Sequence, residues 1–318
     1  MRYLITGSGS IKRGESIRGI QKMFGYMWQY IYSTFFRCWL KWILRHLTGK
    51  CELKRIFDGP GGAKRTRMIE FSLECSKNKS LRSAVHCEND VDKSVADVMK
   101  EKKINEHKDV RFKTHLKVCL LQITGYKKLY LEVEDLRKQP YDSGNQKHEE
   151  QLMELWDLLK PKEKLKSRIT KQWGDIGFQG DDPKTDFRGM GMLGLANLLY
   201  FSHHYTEEAF QVLSHSYHPK IGYSYAIVGI NLTEMAYSLL RSGALKSQLY
   251  NLVSGSPQMQ HFHQFFCYLI YEFDKFWFEE EPENIMHFNH FREKFHSKVT
   301  VLLSDPDTVL VLKSTKNH

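Results

Sequence analysis

Residues 177–195 read GFQGDDPKTDFRGMGMLGL, and this stretch has two halves of opposite character. The first half is rich in glycine, aspartate and proline, which are residues typical of turns. From Gly189 onward apolar residues dominate, with a spacing typical of a helix. The pattern predicts a shaped loop that leads into an apolar helix. It places Arg188 at the junction, where packing alone does not call for a cation.

Helical periodicity accounts for most of the chain after residue 90. A hydrophobic content of 41% over 318 residues is enough for a sizeable core. Strand-like alternation is missing apart from TVLVLK at 308–313, so we predict an all-α fold, a multi-helix globular domain preceded by an amphipathic, hydrophobic N-terminal helix. The helical patterns lie at roughly 91–104, 112–138, 146–160, 162–175, 191–202, 206–216, 222–242, 244–253, 258–280 and 283–304.

Composition shifts divide the chain into four segments. We predict a basic N-terminal segment at 1–67, a helical lead-in at 68–142 that packs on the body, the globular domain at 143–305 and a C-terminal tail at 306–318. The six cysteines form no C-x-x-C pair, which is typical of reduced thiols in a protein that faces the cytosol.

The net charge of +10 is concentrated at the N-terminus. Residues 1–67 hold 14 Lys and Arg against 3 Asp and Glu, whereas the rest of the chain is nearly balanced. A balanced body argues against a nucleic-acid partner. The basic segment instead predicts contact with an anionic surface.

Residues 23–47, MFGYMWQYIYSTFFRCWLKWILRHL, are the most apolar stretch, and nine of these 25 residues are aromatic. The charge-free run at 23–36 has 14 residues, which is fewer than the roughly 20 that a spanning helix needs. We therefore predict an interfacial membrane helix, and we leave open a short spanning helix or a helix docked on the body. Basic residues spaced four apart would line one face, opposite aromatic side chains. The predicted membrane residues are Arg37, Trp39, Lys41, Trp42 and Arg45.

Two motifs are better explained by packing than by chemistry. Gly189, Gly191 and Gly194 match G-x-G-x-x-G, but no strand precedes them, so we interpret them as a tight helix entry rather than a dinucleotide site. The histidine pairs at 203–204 and 261/263 have no further ligands at suitable spacing, and we predict no metal site.

Residue types alone allow two interpretations of the role of Arg188. It could brace the acidic loop by pairing with Asp182 or Asp186, because arginine forms bidentate pairs with carboxylates. Alternatively, the loop could present the guanidinium to the phosphate of a partner, since functional groups often sit on loops held by rigid helices. The residue types favour bracing.

The central stretch resembles the signature of the ELMO domain, from Trp173 through Gly177-Phe-Gln-Gly180 and Asp186-Phe-Arg-Gly189 to Leu195. Further similar stretches, such as PYDSGNQKHEE and EFDKFWFEEEP, extend the resemblance from about residue 35 to 305. The domain predicted at 143–305 would then be an ELMO domain. Residues 1–22 match nothing in that family and only loosely resemble a mitochondrial transit segment.

The resemblance implies a GTPase-activating protein for Arf and Arl small GTPases, in which Arg188 is the catalytic arginine finger. It implies no cofactor, because GTP and Mg²⁺ belong to the partner. A non-catalytic GTPase-binding or scaffold module is the alternative. We expect location in the cytosol and on cytoplasmic membrane faces, with mitochondria, ER and lipid droplets left open. The predicted partner-binding residues are Trp173, Phe178, Gln179, Asp182, Thr185 and Asp186.

Overall fold

The structure, a computed structural model, describes residues 37–86 and 89–313. Helices joined by turns make up these ranges, with no strand among them, so the predicted all-α fold is confirmed. The described residues fall into two compact units, which divide between Gly59 and Pro60. The α-helices are α1 Arg37–Thr48, α2 Glu52–Phe57, α3 Ala63–Glu74, α4 Lys79–Ser83, α5 Val91–Glu101, α6 Val110–Lys138, α7 Gln146–Leu159, α8 Gly191–His204, α9 Thr206–Ser216, α10 Tyr225–Ser242, α11 Lys246–Leu252, α12 Met259–Glu279 and α13 Phe288–Ser304, and the 3₁₀ helices are Lys171–Ile176, Pro183–Arg188 and Ile285–His287.

The described part of the first unit contains α1 and α2. Lys41 on α1 forms an ion pair of 2.5 Å with Glu52 at the start of α2. Residues 23–36 of the predicted membrane helix lie outside the described residues, as does the side chain of Arg37. Within the described ranges, no helix combines the length and the apolar character needed to cross a membrane.

The second unit is built around α8, the helix that follows the loop quoted at the outset. Its sequence GMLGLANLLYFSHH is apolar on nearly every side, and ten of its residues are buried. A helix with no polar face is expected at the centre of a core. α8 accordingly contacts α6, α7, α9, α10 and α12.

A buried polar network joins α8 to two of these helices. The Asn197 side-chain amide donates to the Thr233 hydroxyl (3.0 Å), and the His263 Nδ1–H donates to the Asn197 side-chain oxygen Oδ1 (2.6 Å). Burial lowers the pKa of His263 to about 4, so this ring is neutral at pH 7. In the unfolded chain, His263 binds a proton at its usual pKa of 6.5, whereas in the fold it does so only at about pH 4. The free energy of unfolding contributed by this histidine therefore falls as the pH drops from 6.5 towards 4.

Gly191 explains why the glycine-rich run begins a helix here. Its φ is +51°, and a Cβ would lie 2.3 Å from the Arg137 carbonyl oxygen at the end of α6. The next amide, from Met192, donates to the Gln139 carbonyl (2.9 Å). The glycine therefore permits a close approach of two backbones.

One predicted helix is wrong. Residues 162–170 are irregular, and only the 3₁₀ helix Lys171–Ile176 falls within the predicted 162–175. Two carbonyls that a helix would use accept indole N–H groups instead: Glu163 O from Trp156 (2.7 Å) and Arg168 O from Trp173 (2.9 Å). Like charges four apart, such as Lys162 and Lys166, would further disfavour the helix.

The strand-like run at 308–313 has no regular secondary structure, and its backbone pairs with a side chain rather than with a strand. Gln248 accepts from the Leu310 amide (2.6 Å) and donates to its carbonyl (2.7 Å). Part of the predicted tail at 306–318 is thereby fixed to the helical body.

A second buried glutamine joins three helices. Gln122 on α6 donates to the carbonyls of Tyr250 (2.8 Å) and Val253 (2.6 Å), and it accepts from the Thr66 hydroxyl (2.6 Å). All three contacts lie in or at the edge of the core, where unsatisfied polar groups are costly.

We expect Gln122→Met to lower the free energy of unfolding by about 2–4 kcal/mol, because it leaves two carbonyls and a hydroxyl without this partner. Denaturant unfolding measures the change. Gln211→Met, at an exposed position within α9, is the matched control and should change stability by less than about 0.5 kcal/mol. Equal effects of the two substitutions would contradict the role assigned to Gln122.

Candidate functional site

Arg188 is the last residue of the 3₁₀ helix Pro183–Arg188, and its side chain is exposed. Its Nε donates to the Thr185 carbonyl at 2.8 Å, which holds the stem of the guanidinium. Within residues 37–86 and 89–313, no carboxylate forms an ion pair with Arg188. The Thr185 carbonyl therefore orients the guanidinium, and no described carboxylate neutralises its charge.

Asp182 and Asp186 shape the loop through its backbone. Asp182 caps the 3₁₀ helix by accepting from the Lys184 amide (3.0 Å), and Asp186 accepts from the Gln179 amide (2.8 Å). Burial raises the pKa of Asp186, while the Gln179 N–H and the nearby Arg188 charge partly offset this rise. Asp186 therefore interacts electrostatically with Arg188 without being paired to it.

Arg168 is the residue that braces the loop, although it is not among the site residues predicted from the sequence. Its guanidinium makes two hydrogen bonds to the Glu149 carboxylate, one of them at 3.1 Å, and a third to Asp182 at 3.0 Å. It also lies 5.9 Å from the centre of the Tyr141 ring, close enough for a cation–π contact. We call Arg168, Glu149, Asp182 and Tyr141 the Arg168 clasp.

Tyr141 completes the Arg168 clasp as a hydrogen-bond donor. Burial and the neighbouring Glu149 raise the pKa of its hydroxyl, which donates to Glu149 at 2.6 Å. Because Asp182 is bound to Arg168, the bracing reading of Arg188 is wrong for that aspartate. Arg168 lies in a lysine-rich run that the sequence predicts to be helical, and this pattern gives no sign of its distant carboxylate partners.

A row of contacting aromatic rings supports the loop that carries Arg188. Phe187 stacks on Tyr141 with 5.4 Å between ring centres, and Phe178 meets Phe187 at 5.5 Å. Trp173 meets Phe178 at 5.9 Å and Trp156 at 5.6 Å. Phe187 and Arg188 are adjacent, so the buried ring fixes the point from which the guanidinium projects.

The predicted partner-binding residues fall into two groups. Trp173 and Phe178 are buried, so a contribution to binding would act through the loop that they support. Asp182 and Asp186 are half-buried and form the hydrogen bonds just described. Gln179 and Thr185 are exposed, and the Thr185 carbonyl contacts Arg188. Partner binding by these residues stays a prediction.

Gly177 sets the entry to this loop. Its φ is +82°, and a Cβ would lie 2.2 Å from the Tyr225 amide nitrogen at the start of α10. The Gly177 carbonyl in turn accepts from the Ile227 amide (3.3 Å). The loop is thereby fixed to α10 as well as to α8.

The histidines singled out in the sequence have separate local contacts. His203 pairs with Glu154 (2.8 Å), His204 stacks on Tyr200 (4.0 Å), and His261 lies in the capping box at the start of α12. His263 is in the buried network described above. Over the described ranges, no group of three or more His, Cys, Asp or Glu side chains is placed to hold a metal ion.

The predicted membrane residues that the structure describes lie on α1. Trp39 and Trp42 are about three-fifths exposed, 61% and 60%, and are three residues apart, so they share a helix face. Arg45 is also exposed, whereas Lys41 is half-buried in its ion pair with Glu52.

Comparison with known proteins identifies the family of the central helices. The family model described as the ELMO/CED-12 family matches residues 131–292, which contain the Arg168 clasp, Arg188 and α8. No solved structure matches the chain. The predicted domain limits stay a prediction.

Named relatives are similar over most of their length. The chain is 66% identical over 292 residues to ELMO domain-containing protein 2 of Homo sapiens, covering 92% of this chain and 100% of that protein. Identity is 51% over 301 residues to ELMO domain-containing protein 1 of Mus musculus, covering 88% and 92%. It is 33% over 280 residues to ELMO domain-containing protein B of Dictyostelium discoideum, covering 86% and 96%.

We expect Arg168→Ala to destabilise the protein by about 1–3 kcal/mol, because two carboxylates lose a partly buried partner. Arg188→Ala, at an exposed arginine with no ion pair to a described residue, should cost less than about 1 kcal/mol. Denaturant unfolding of both variants measures the difference. A double-mutant cycle with Asp182→Ala should show coupling to Arg168 and none to Arg188; the reverse pattern would restore Arg188 as the bracing residue.

Proposed function

The chain belongs to the ELMO/CED-12 family, and on this premise we propose that it is a GTPase-activating protein for Arf and Arl small GTPases, supplying Arg188 in trans as an arginine finger. The observation that supports the proposal is the state of Arg188. Its guanidinium is exposed and free of a carboxylate partner among the described residues, on a loop that other residues brace.

The chemistry of GTP hydrolysis suits such a group. Negative charge develops on the transferred phosphoryl group and on the bridging oxygen, and little covalent work is left for protein residues. A guanidinium inserted from outside stabilises that charge where little water remains. Its planar fork presents paired N–H groups that match two oxygens in a fixed geometry, whereas a lysine ammonium acts as a point charge. A finger accelerates hydrolysis by about 10³–10⁵, or roughly 4–7 kcal/mol of barrier.

The braced loop supports this role because a catalytic group is most effective when it is already positioned. Phe187 is held by two aromatic rings, and the Arg188 Nε is held by the Thr185 carbonyl. The Arg188 side chain and its loop then lose little conformational freedom on binding, which lowers the entropic cost of reaching the transition state. The proposal needs no cofactor held by this chain, since GTP and Mg²⁺ come with the GTPase.

The alternative is a non-catalytic GTPase-binding or scaffold module. In that case Arg188 would stabilise the bound complex but not the transition state. The two functions differ in which kinetic constant depends on Arg188.

We expect Arg188→Ala to lower the single-turnover rate of GTP hydrolysis on an activated Arf or Arl protein by at least about 10³, and Arg188→Lys to restore little of it. Binding of the GTP-loaded GTPase should change little, because the interaction forms in the transition state. Arg241→Ala, at another exposed arginine, is the matched control and should leave the rate unchanged. A folded Arg188→Ala protein within about threefold of wild type would exclude the finger.

We also propose that α1 holds the protein on the cytoplasmic face of a membrane. Trp39 and Trp42 share an exposed face, and tryptophan is favoured at membrane interfaces. The basic residues of the N-terminal segment would add attraction to anionic lipids.

Trp39→Ser with Trp42→Ser should weaken binding to anionic liposomes at least about tenfold, because two large apolar side chains no longer enter the interface. Liposome flotation measures the bound fraction. Val301→Ser with Leu302→Ser, at exposed apolar positions on α13, should leave binding unchanged. Binding that survives deletion of residues 1–50 would refute the assignment.

A further inference from the structure

Residues 160–171, KPKEKLKSRITK, form a strongly cationic loop that the proposed function has not used. We call this segment the basic loop. It contains six Lys and Arg residues and one acid, Glu163. Residues 160–170 have no regular structure, and Lys171 begins the 3₁₀ helix Lys171–Ile176.

Two cations of the basic loop already have partners. Lys160 lies 3.8 Å from the Glu163 carboxylate and 5.1 Å from the centre of the Tyr217 ring. Arg168 belongs to the Arg168 clasp. The other four cations are exposed and form no ion pair with a described residue. These four are Lys162, Lys164, Lys166 and Lys171.

The basic loop is held in place despite its exposure. The Gln172 side chain accepts from the Lys166 amide (2.9 Å) and donates to the Lys164 carbonyl (3.2 Å). These contacts fix the backbone between the lysines. The charges are therefore presented from a defined surface, and less conformational entropy is lost when they meet a partner.

The basic loop is also attached to the loop that carries Arg188. The Thr170 amide donates to the Asp181 carbonyl (2.9 Å), and the Arg168 side chain reaches Asp182. Arg188 lies at the far end of the following 3₁₀ helix, which at about 2 Å per residue places it roughly 12 Å from Asp182. The free lysines and the proposed finger belong to the same pair of joined loops.

We propose that the basic loop is a docking surface for an acidic face of the GTP-loaded GTPase, with Lys162, Lys164 and Lys166 as its main contacts. The proposal rests on the proposed function. Positive charge on a loop that is joined to the Arg188 loop attracts an acidic, nucleotide-bearing partner during encounter and raises the association rate. The lysines act on the approach of the partner, whereas Arg188 acts on the reaction.

Charges next to the basic loop favour a protein partner over a membrane. Glu150, Glu154 and Asp157 on α7 are exposed along one groove immediately before the loop. A uniformly anionic lipid surface that met the lysines would also meet these acids. A folded partner can match a basic loop and an acidic stripe together, which sets its orientation as well as its affinity.

The test uses the full chain with Lys162→Gln, Lys164→Gln and Lys166→Gln combined. The matched control neutralises Lys93, Lys100 and Lys108, which are exposed on or after α5 and have no ion pair to a described residue. Lys117, which forms an ion pair with Asp92 on α5, lies 22 residues before Gln139. At about 1.5 Å per residue, that part of α6 is some 30 Å from the end facing the Arg188 loop.

GTP hydrolysis by a soluble, lipid-free GTPase is measured over a range of GTPase concentrations, at low salt and at about 0.5 M salt, where screening is strong. We expect the loop variant to lower kcat/KM about tenfold at low salt, through KM, with kcat unchanged. The difference should shrink at high salt. The control variant should match wild type, and both variants should melt like wild type.

Several results would overturn the proposal. Equal losses in the two triple variants would mean that net charge, not the basic loop, matters. A loss in kcat alone would place the lysines in the reaction rather than in docking. An effect that appears only with the GTPase on anionic vesicles would assign the loop to lipid.

Direct binding of the GTP-loaded GTPase separates this proposal from the proposed function. If wild type binds without accelerating hydrolysis, and the loop variant alone loses about tenfold in affinity, activation fails but the docking surface stands. If Arg188→Ala abolishes acceleration while the loop variant behaves as wild type in both assays, the docking surface fails alone. Absence of both binding and acceleration would overturn both.

Discussion

The bidentate contact between Arg168 and Glu149 fixes the geometry of the candidate site. It adds to the contacts that join α7 to the irregular segment 160–170, and the same guanidinium holds Asp182. Arginine suits this position because its rigid fork can serve two carboxylates at once. With Asp182 occupied, Arg188 has no role in bracing that aspartate. One arginine positions the loop, and the other is left exposed at its end.

The support beneath the loop is apolar, and its order in space differs from its order in sequence. Tyr141, Phe187, Phe178 and Trp173 follow one another through edge and face contacts. Aromatic pairs of this kind contribute about 0.5–1.5 kcal/mol beyond the burial of their area. The α8 core and the loop are therefore one packed structure. An exposed group can be held precisely only on such a base, since its own contacts are too few.

The helical fold and the loop were accessible from the sequence because their signals are local. Apolar periodicity marked α6, α8 and α12, and glycine, proline and aspartate marked the loop. The wrong helix prediction at 162–170 and the omission of Arg168 share a cause. Residues 162–170 carry helix-forming lysines, but indoles from Trp156 and Trp173 take the carbonyls a helix would use. Arg168 was missed because its partners are 14 and 19 residues away. Pairing over such distances has no periodic signature.

The length of α6 carries a consequence for how the protein can change over evolution. Gln122 in its middle is committed to three hydrogen bonds, and the carbonyls at its end meet Gly191 and Met192. An inserted or deleted residue between these points would rotate one set of contacts about 100° relative to the other and shift it about 1.5 Å. Both ends cannot then be satisfied together. Residues 122–139 should tolerate substitution on their exposed face while their number stays fixed, so that changes of length are confined to the connecting loops.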